Sequence, residues 1–190
     1  MKRTLIVMVK EPRAGRVKTR LGREIGMVAA AWWFRHQVRR LLRRIEDPRW
    51  RVVLAVAPDR AGVLSRVLPA HLARWPQGKG DLGVRMARML RQARGGPACV
   101  IGADIPGVTR PRIAEAFDAL GSHNAVFGPA PDGGYWLIGL KHPAMQPPEF
   151  LHTVRWSTDH ALTDSIATLK GHRIARVATL RDVDSAADLK

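Results

Sequence analysis

The sequence is short of several things, and each shortage removes a class of protein. A single cysteine, Cys99, stands among 190 residues, so no intramolecular disulfide can form and a reducing compartment is implied. No apolar run approaches the ~20 residues of a membrane-spanning helix. Leu5–Val9 is too short for the core of a secretion signal, and no small-residue cleavage site follows it. Cytoplasmic location is therefore the expectation. Acidic residues are scarce in one half: residues 1–100 carry 23 Lys and Arg against 6 Asp and Glu, and residues 101–190 carry 9 against 10.

A basic half suits phosphate-bearing partners, whether nucleotide, nucleic acid or anionic lipid. No nucleic-acid module is recognisable, and the aromatic residues sit mostly on apolar faces rather than between basic ones, which sets nucleic acid and other polyanions below a nucleotide. Arg39-Arg40 and Arg43-Arg44 read as one solvated helix face, and Trp32-Trp33 as core and interface packing. The 46% hydrophobic and 25% charged residues are those of an ordinary globular chain, and its length suits one domain over residues 1–190.

Apolar runs with no polar alternation read as strands buried on both faces: Leu5–Val9, the stretch Arg51–Ala57 and Cys99–Ile101. Helical spacing of apolar residues joins them: about Ile25–Ile45, Ala61–Leu68, Val84–Leu90 and Pro111–Leu120. Ala125–Phe127 and Trp136–Leu140 read as an antiparallel addition. A helix over Asp159–Leu169, capped by Ser157 or Thr158, a strand over Arg173–Ala178 and a terminal turn capped by Asp184 or Ser185 complete the chain. This alternation predicts an α/β fold: a three-layer αβα sandwich on a mostly parallel sheet.

Chemistry-bearing residues collect in the loops. Lys10-Glu-Pro-Arg-Ala-Gly-Arg-Val-Lys-Thr-Arg20 follows the first strand and carries five cations in eleven residues. A basic loop with a glycine in that position is a common phosphate cradle, although it has neither the P-loop nor the Rossmann pattern. Gln77-Gly-Lys-Gly-Asp-Leu-Gly83 is a second glycine-rich loop. Asp104 stands at the carboxyl end of the third apolar strand, where α/β sheets bind ligands; a carboxylate there can hold Mg²⁺ or Mn²⁺ beside a phosphorylated substrate. The plainer reading makes Asp104 a helix cap, a task for which Thr109 is better placed. An Asp104 unpaired in its crevice should tolerate Asn with stability unchanged or raised. Asp132-Gly133-Gly134 reads as a hairpin turn or a ligand loop.

Taken in order, Lys10–Leu21, Gln77-Gly-x-x-x-Leu-Gly83, Gly102-Ala-Asp-Ile-Pro-Gly107, Asp132-Gly-Gly-Tyr-x-Leu-Ile-Gly139, Trp156-Ser-Thr158 and Asp182-Val-Asp-x-x-x-Asp-Leu189 resemble the bacterial nucleotide-diphospho-sugar-transferase-like proteins. These have the glycosyltransferase-A fold and are described as radical-SAM-associated glycosyltransferase-like proteins. The layout is more distantly similar to phospholactate guanylyltransferase and molybdopterin nucleotidyltransferases. The resemblance implies a metal-dependent transferase with Mg²⁺ or Mn²⁺, using a nucleoside triphosphate or nucleotide sugar on a small-molecule acceptor. It implies Lys18 and Asp104 as catalytic residues, with Asp104 the metal ligand. Gly15, Arg16, Lys18, Arg20, Gln77 and Gly78 would bind the nucleotide. Asp132, Gly133, Gly134, Tyr135, Trp156, Ser157, Asp182 and Asp184 are candidates for the acceptor or a second metal contact. Here the metal motif is Gly-Ala-Asp rather than Asp-x-Asp. A non-catalytic nucleotide-binding protein is the alternative.

Overall fold

The computed structural model describes residues 2–183 and 185–189. Seven strands, β1 (Arg3–Lys10), β2 (Trp50–Ala57), β3 (Ala73–Pro76), β4 (Ala98–Gly102), β5 (Ala125–Pro129), β6 (Tyr135–Leu140) and β7 (Ile174–Arg176), join in one sheet ordered β3-β2-β1-β4-β6-β5-β7. The β1–β2, β1–β4, β2–β3 and β5–β7 pairs are parallel. Only β6 runs against its neighbours, pairing antiparallel with both β4 and β5. The antiparallel addition is thus one strand of the Val126–Leu140 hairpin, and the fold is the expected three-layer α/β sandwich.

The apolar runs explain the layers. Along β1, Leu5, Val7 and Val9 face one cluster while Ile6 faces the other, as period-two alternation requires. The first cluster takes Phe34, Val38, Leu41 and Leu42 from α2 (Met27–Ile45) and Ile113 and Phe117 from α5 (Arg110–Ser122). The second takes Met86, Met89 and Leu90 from α4 (Leu82–Gln92) and Ala161 from α6 (Ala161–Ala167). Cys99 is fully buried in the first cluster, and burial pushes its thiol pKa up. It is a core residue.

Several boundaries differ from the sequence reading. The basic loop ends at Lys18, because Thr19 opens a short helix, α1 (Thr19–Ile25), which breaks from α2 at Gly26. The helix expected over Ala61–Leu68 is α3 (Asp59–Val63); the chain after it is held by Arg74, whose guanidinium donates to the carbonyls of Val63, Ser65 and Leu68 at 2.7–2.9 Å. Strand β3 lies in a stretch that read as a punctuated connection. It is four residues long and ends on a proline, so pairing with β2 makes it a strand rather than any pattern of its own. Helix α6 starts after His160 with no side-chain cap. Thr158 instead accepts from the His160 N–H and donates to the Arg155 carbonyl. Ser185 does precede the terminal turn at Ala186–Leu189, where its N–H and hydroxyl both reach Asp188.

The two tryptophans part company. Trp33 packs on the core, whereas Trp32 is 55% exposed and stacks on His36. Adjacent helix positions point about 100° apart, so only one can face inward. Arg39, Arg40 and Arg43 are solvated as expected, but Arg44 is half-buried with Nε and Nη2 unpartnered. Among the described residues no helix is long and apolar enough to cross a membrane.

Gly133, in the β5–β6 turn, has φ +81°, and a Cβ there would collide with the backbone of Asp159. Its carbonyl accepts from the Leu162 N–H, so the turn is pinned against the start of α6. Gly133→Ala should cost more than about 1 kcal/mol, read as a lower denaturation midpoint with an unchanged denaturant slope.

Candidate functional site

The carboxyl edge of the sheet gathers the loops after β1, β3 and β4, the β5–β6 turn, and the stretches around residues 156–158 and 180–182. Two adjoining cavities open there. One, of about 560 Å³, is lined by Lys10, Arg16, Lys18, Arg20 and Arg85, with Gln77, Ala103 and Trp156 among its other walls. The second, of about 230 Å³, is walled by Met86, Ile138, Tyr135 and Trp156 and carries Asp104, Asp132 and Asp182, with no cationic side chain among the described residues. Met8, Leu82, Gly102, Asp104, Trp156 and Ser157 belong to both.

Asp104 forms the boundary. Its Oδ2 lies 2.6 Å from Lys18 Nζ, with the lysine side chain 8% exposed and the aspartate 29%. Lys18 reaches it because its own backbone is left-handed, φ 46° and ψ 49°, at the N-cap of α1. A Cβ at Gly102 would meet the side-chain ends of Ile105 and Asp104, which would have to shift to admit it. Asp104 is therefore an ion-paired site residue and no helix cap; Thr109 holds the N-cap of α5, without a side-chain hydrogen bond. The expectation of an unpaired Asp104 is overturned, and with it the stability gain anticipated for Asn, which would remove the charge that Lys18 meets at 2.6 Å.

The remaining candidates divide. Arg16, Lys18 and Arg20 converge on the basic cavity; Gly15 sits on the exposed bend of that loop at φ +73°. Gln77 is buried, its amide nitrogen donating to the Ala55 carbonyl and its oxygen accepting from Arg85 Nη1 at 2.9 Å. Its contribution is to aim Arg85. Gly78 lines neither cavity: its N–H is given to Asp59 Oδ1, and the Arg88 guanidinium covers it. Residues 78–83 spell the G-x-G-x-x-G spacing, against the expectation of a layout without it, but Arg88 donates to the carbonyls of Gln77 and Lys79, so the loop is bound internally. Asp132, Gly134, Tyr135, Trp156, Ser157 and Asp182 line the second cavity. Asp132 Oδ1 accepts from the Gly134 N–H, and the Tyr135 hydroxyl is spent on Ser165, with burial pushing its pKa up. Gly133 serves the turn behind them, and Asp184 lies outside the described residues.

Glu11, Arg85 and the apolar Met8 and Leu82 were not singled out from sequence. Glu11 carried one signal, as the lone acid in the basic loop.

Among the described residues no three His, Cys, Asp or Glu side chains converge as a metal-ion group. Mg²⁺ commonly takes one or two carboxylates plus substrate phosphates and water. Asp104, at the mouth of a cationic cavity, fits that requirement.

A family model described as "Uncharacterized protein conserved in bacteria (DUF2064)" matches residues 41–158. The crystal structure of a Desulfovibrio desulfuricans protein assigned as a nucleotide-diphospho-sugar transferase is 27% identical, with TM-score 0.88 over 100% of this chain and 85% of that one. A 4-diphosphocytidyl-2C-methyl-D-erythritol synthase from Anaerococcus prevotii is 7% identical, with TM-score 0.62 over 99% of this chain and 92% of its own. Rv0371c of Mycobacterium tuberculosis, in complex with manganese, is 13% identical with TM-score 0.59, over 100% of this chain and 96% of its own. The last two establish the fold alone. No curated protein matches.

The segment bearing Trp156 and Ser157 is anchored by a two-pronged ion pair. Arg155 Nε and Nη2 donate to the two carboxylate oxygens of Asp164, both at 2.9 Å, and the Arg155 N–H adds a third bond. Those side-chain bonds first, then the backbone bond, hold the Asp164 carboxyl far below its usual range. A depressed carboxyl favours the folded state above its unfolded pKa of about 3.9, and that contribution fades as pH falls towards the folded value. Carbon-13 NMR should find Asp164 titrating well below the other aspartates, and Arg155→Ala should return it to the ordinary range. Titration alongside exposed aspartates in the parent would mean the clamp is open in solution.

Proposed function

The chain belongs to the DUF2064 family of bacterial proteins, and we propose that it is a metal-dependent transferase that uses a nucleotide against a small-molecule acceptor. The carrying observation is the Lys18–Asp104 pair at the boundary between a cationic cavity and one lined by carboxylates. Phosphates belong in the first cavity, where Lys10, Arg16, Lys18, Arg20 and Arg85 can each donate charge-assisted hydrogen bonds. The acceptor belongs in the second, where Asp132 and Asp182 can read hydroxyl groups and the indole of Trp156 offers an apolar wall.

Five cationic side chains are more than a diphosphate needs and favour a triphosphate, hence nucleotidyl transfer. An acceptor oxygen forms a bond to the α-phosphorus as the bond to pyrophosphate breaks, and the acceptor's proton passes to a neighbouring carboxylate or water. Lys18 faces the position where negative charge grows in that step. With a nucleotide sugar in place, the same residues would hold the diphosphate as leaving group. Asp104 would hold Mg²⁺ or Mn²⁺ together with the phosphates, which supplies charge neutralisation there. Lys18 would then exchange Asp104 for phosphate oxygen.

Calorimetric titration with nucleoside triphosphates and nucleotide sugars, with and without Mg²⁺ or Mn²⁺, tests this. Lys18→Ala should weaken nucleotide binding roughly 10- to 100-fold, the value of one or two charge-assisted hydrogen bonds. Asp104→Asn should abolish the metal dependence of binding and lower the melting temperature as well. Unchanged dissociation constants in both variants would reduce the pair to a structural tie.

A further inference from the structure

Glu11 is 8% exposed, and its Oε2 is buried with no hydrogen-bond partner. A buried carboxylate oxygen without a donor is costly, and nothing in the nucleotide-phosphate reading uses it. Its backbone is fixed, since the Glu11 N–H donates to the Ala57 carbonyl at the end of β2. The residue borders a cavity of about 310 Å³ formed with Lys10, Arg13, Arg16, Ala57, Pro58 and Ala61. Lys10 and Arg16 also line the phosphate cavity, so the two are contiguous. The smaller one lies at the low end of ligand-pocket volumes, which begin near ~300 Å³. It has room for a ring system and little more.

We infer that Glu11 selects guanine, and that the protein's nucleotide is a guanosine nucleotide; this rests on the nucleotide-binding reading above. An ionised carboxylate only accepts hydrogen bonds, through two oxygens side by side. Guanine alone among the common bases presents two adjacent donors, N1–H and the N2 amino group, with the O6 acceptor next to them. Adenine and cytosine each offer one amino donor beside a ring-nitrogen acceptor, and uracil one N–H between two carbonyls. In each of those the carboxylate would face a lone pair. Lys10, Arg13 and Arg16 line the same cavity and are the cations available to the O6 acceptor. Ala57, Pro58 and Ala61 give the base an apolar wall.

The test is binding of GTP, ATP, CTP, UTP, ITP and xanthosine triphosphate, each with Mg²⁺, to the full chain and to Glu11→Gln. The parent should prefer GTP over ATP, CTP and UTP by roughly 10- to 100-fold, in the range of one bidentate pair. ITP, lacking the N2 amino group, should fall between. Glutamine keeps the shape of glutamate but offers one acceptor and one donor, the match for N1–H and O2 of xanthine. The variant should therefore lose affinity for GTP and gain it for xanthosine triphosphate, a gain that misfolding cannot imitate. Equal binding of all bases by the parent overturns the guanine assignment and leaves the nucleotide reading standing. An equal loss for every base in the variant would assign Glu11 to the ribose and overturn it too. Binding of no nucleotide at all removes both.

Discussion

Lys18 and Asp104 come from loops after two adjacent parallel strands, and their charged atoms meet at 2.6 Å. The lysine side chain is nearly sealed from water, so its ammonium requires an anion close by, and the cost of losing that partner is large. The contact ties the end of the basic loop to the turn after β4, at the wall between the two cavities. The left-handed backbone at Lys18 is held because the ion pair and the start of α1 both depend on it. The pair also provides a charge arrangement that a nucleotide can replace: one cation and one anion, ready to be shared with phosphate and with metal.

Around that contact the cleft is divided by sign. Cationic side chains from the first loop, α1 and α4 face one side, and carboxylates from the turn after β4, the β5–β6 turn and the chain near residue 182 face the other. The division follows from topology. The sheet places β1 and β4 side by side, so their trailing loops must share one edge, while the reversed β6 brings its own first residues to that same edge. Polar side chains at the edge are braced from behind: Gln77 aims Arg85, Asp164 grips Arg155, and Ser165 takes the Tyr135 hydroxyl. Much of the excess positive charge lies elsewhere. The exposed arginines of α2 sit on an outer face and take no part in the cleft.

Some of this was legible in the residues. Runs such as Leu5–Val9 and Cys99–Ile101 carry no polar alternation, and only a strand covered on both faces satisfies them, so the layered α/β fold follows from local pattern. The same logic gave Asp104 its place at a strand's carboxyl end and put the basic loop after the first strand. Local pattern could not reveal β3, which is a strand only through its partner, or the break at Gly26 inside a continuous helical periodicity. Nor could it tell that Gly78 faces Asp59 and Arg88 rather than the cleft.

The sequence by itself determined which residues are apolar, at what period, and therefore the layers and the order of loops along the chain. Tertiary structure alone decided which charges meet. Lys18 and Asp104 are 86 positions apart in number, and their pairing depends on the sheet order β1-β4 and on a backbone angle at Lys18 that no composition encodes. Glu11 shows the converse. An acid inside a basic loop should be the best-paired residue in it, yet folding turns its Oε2 away from every neighbouring donor and leaves it buried beside an open cavity. Charge pairing is a matter of ångströms, and distances between loops are set by packing across the whole sheet.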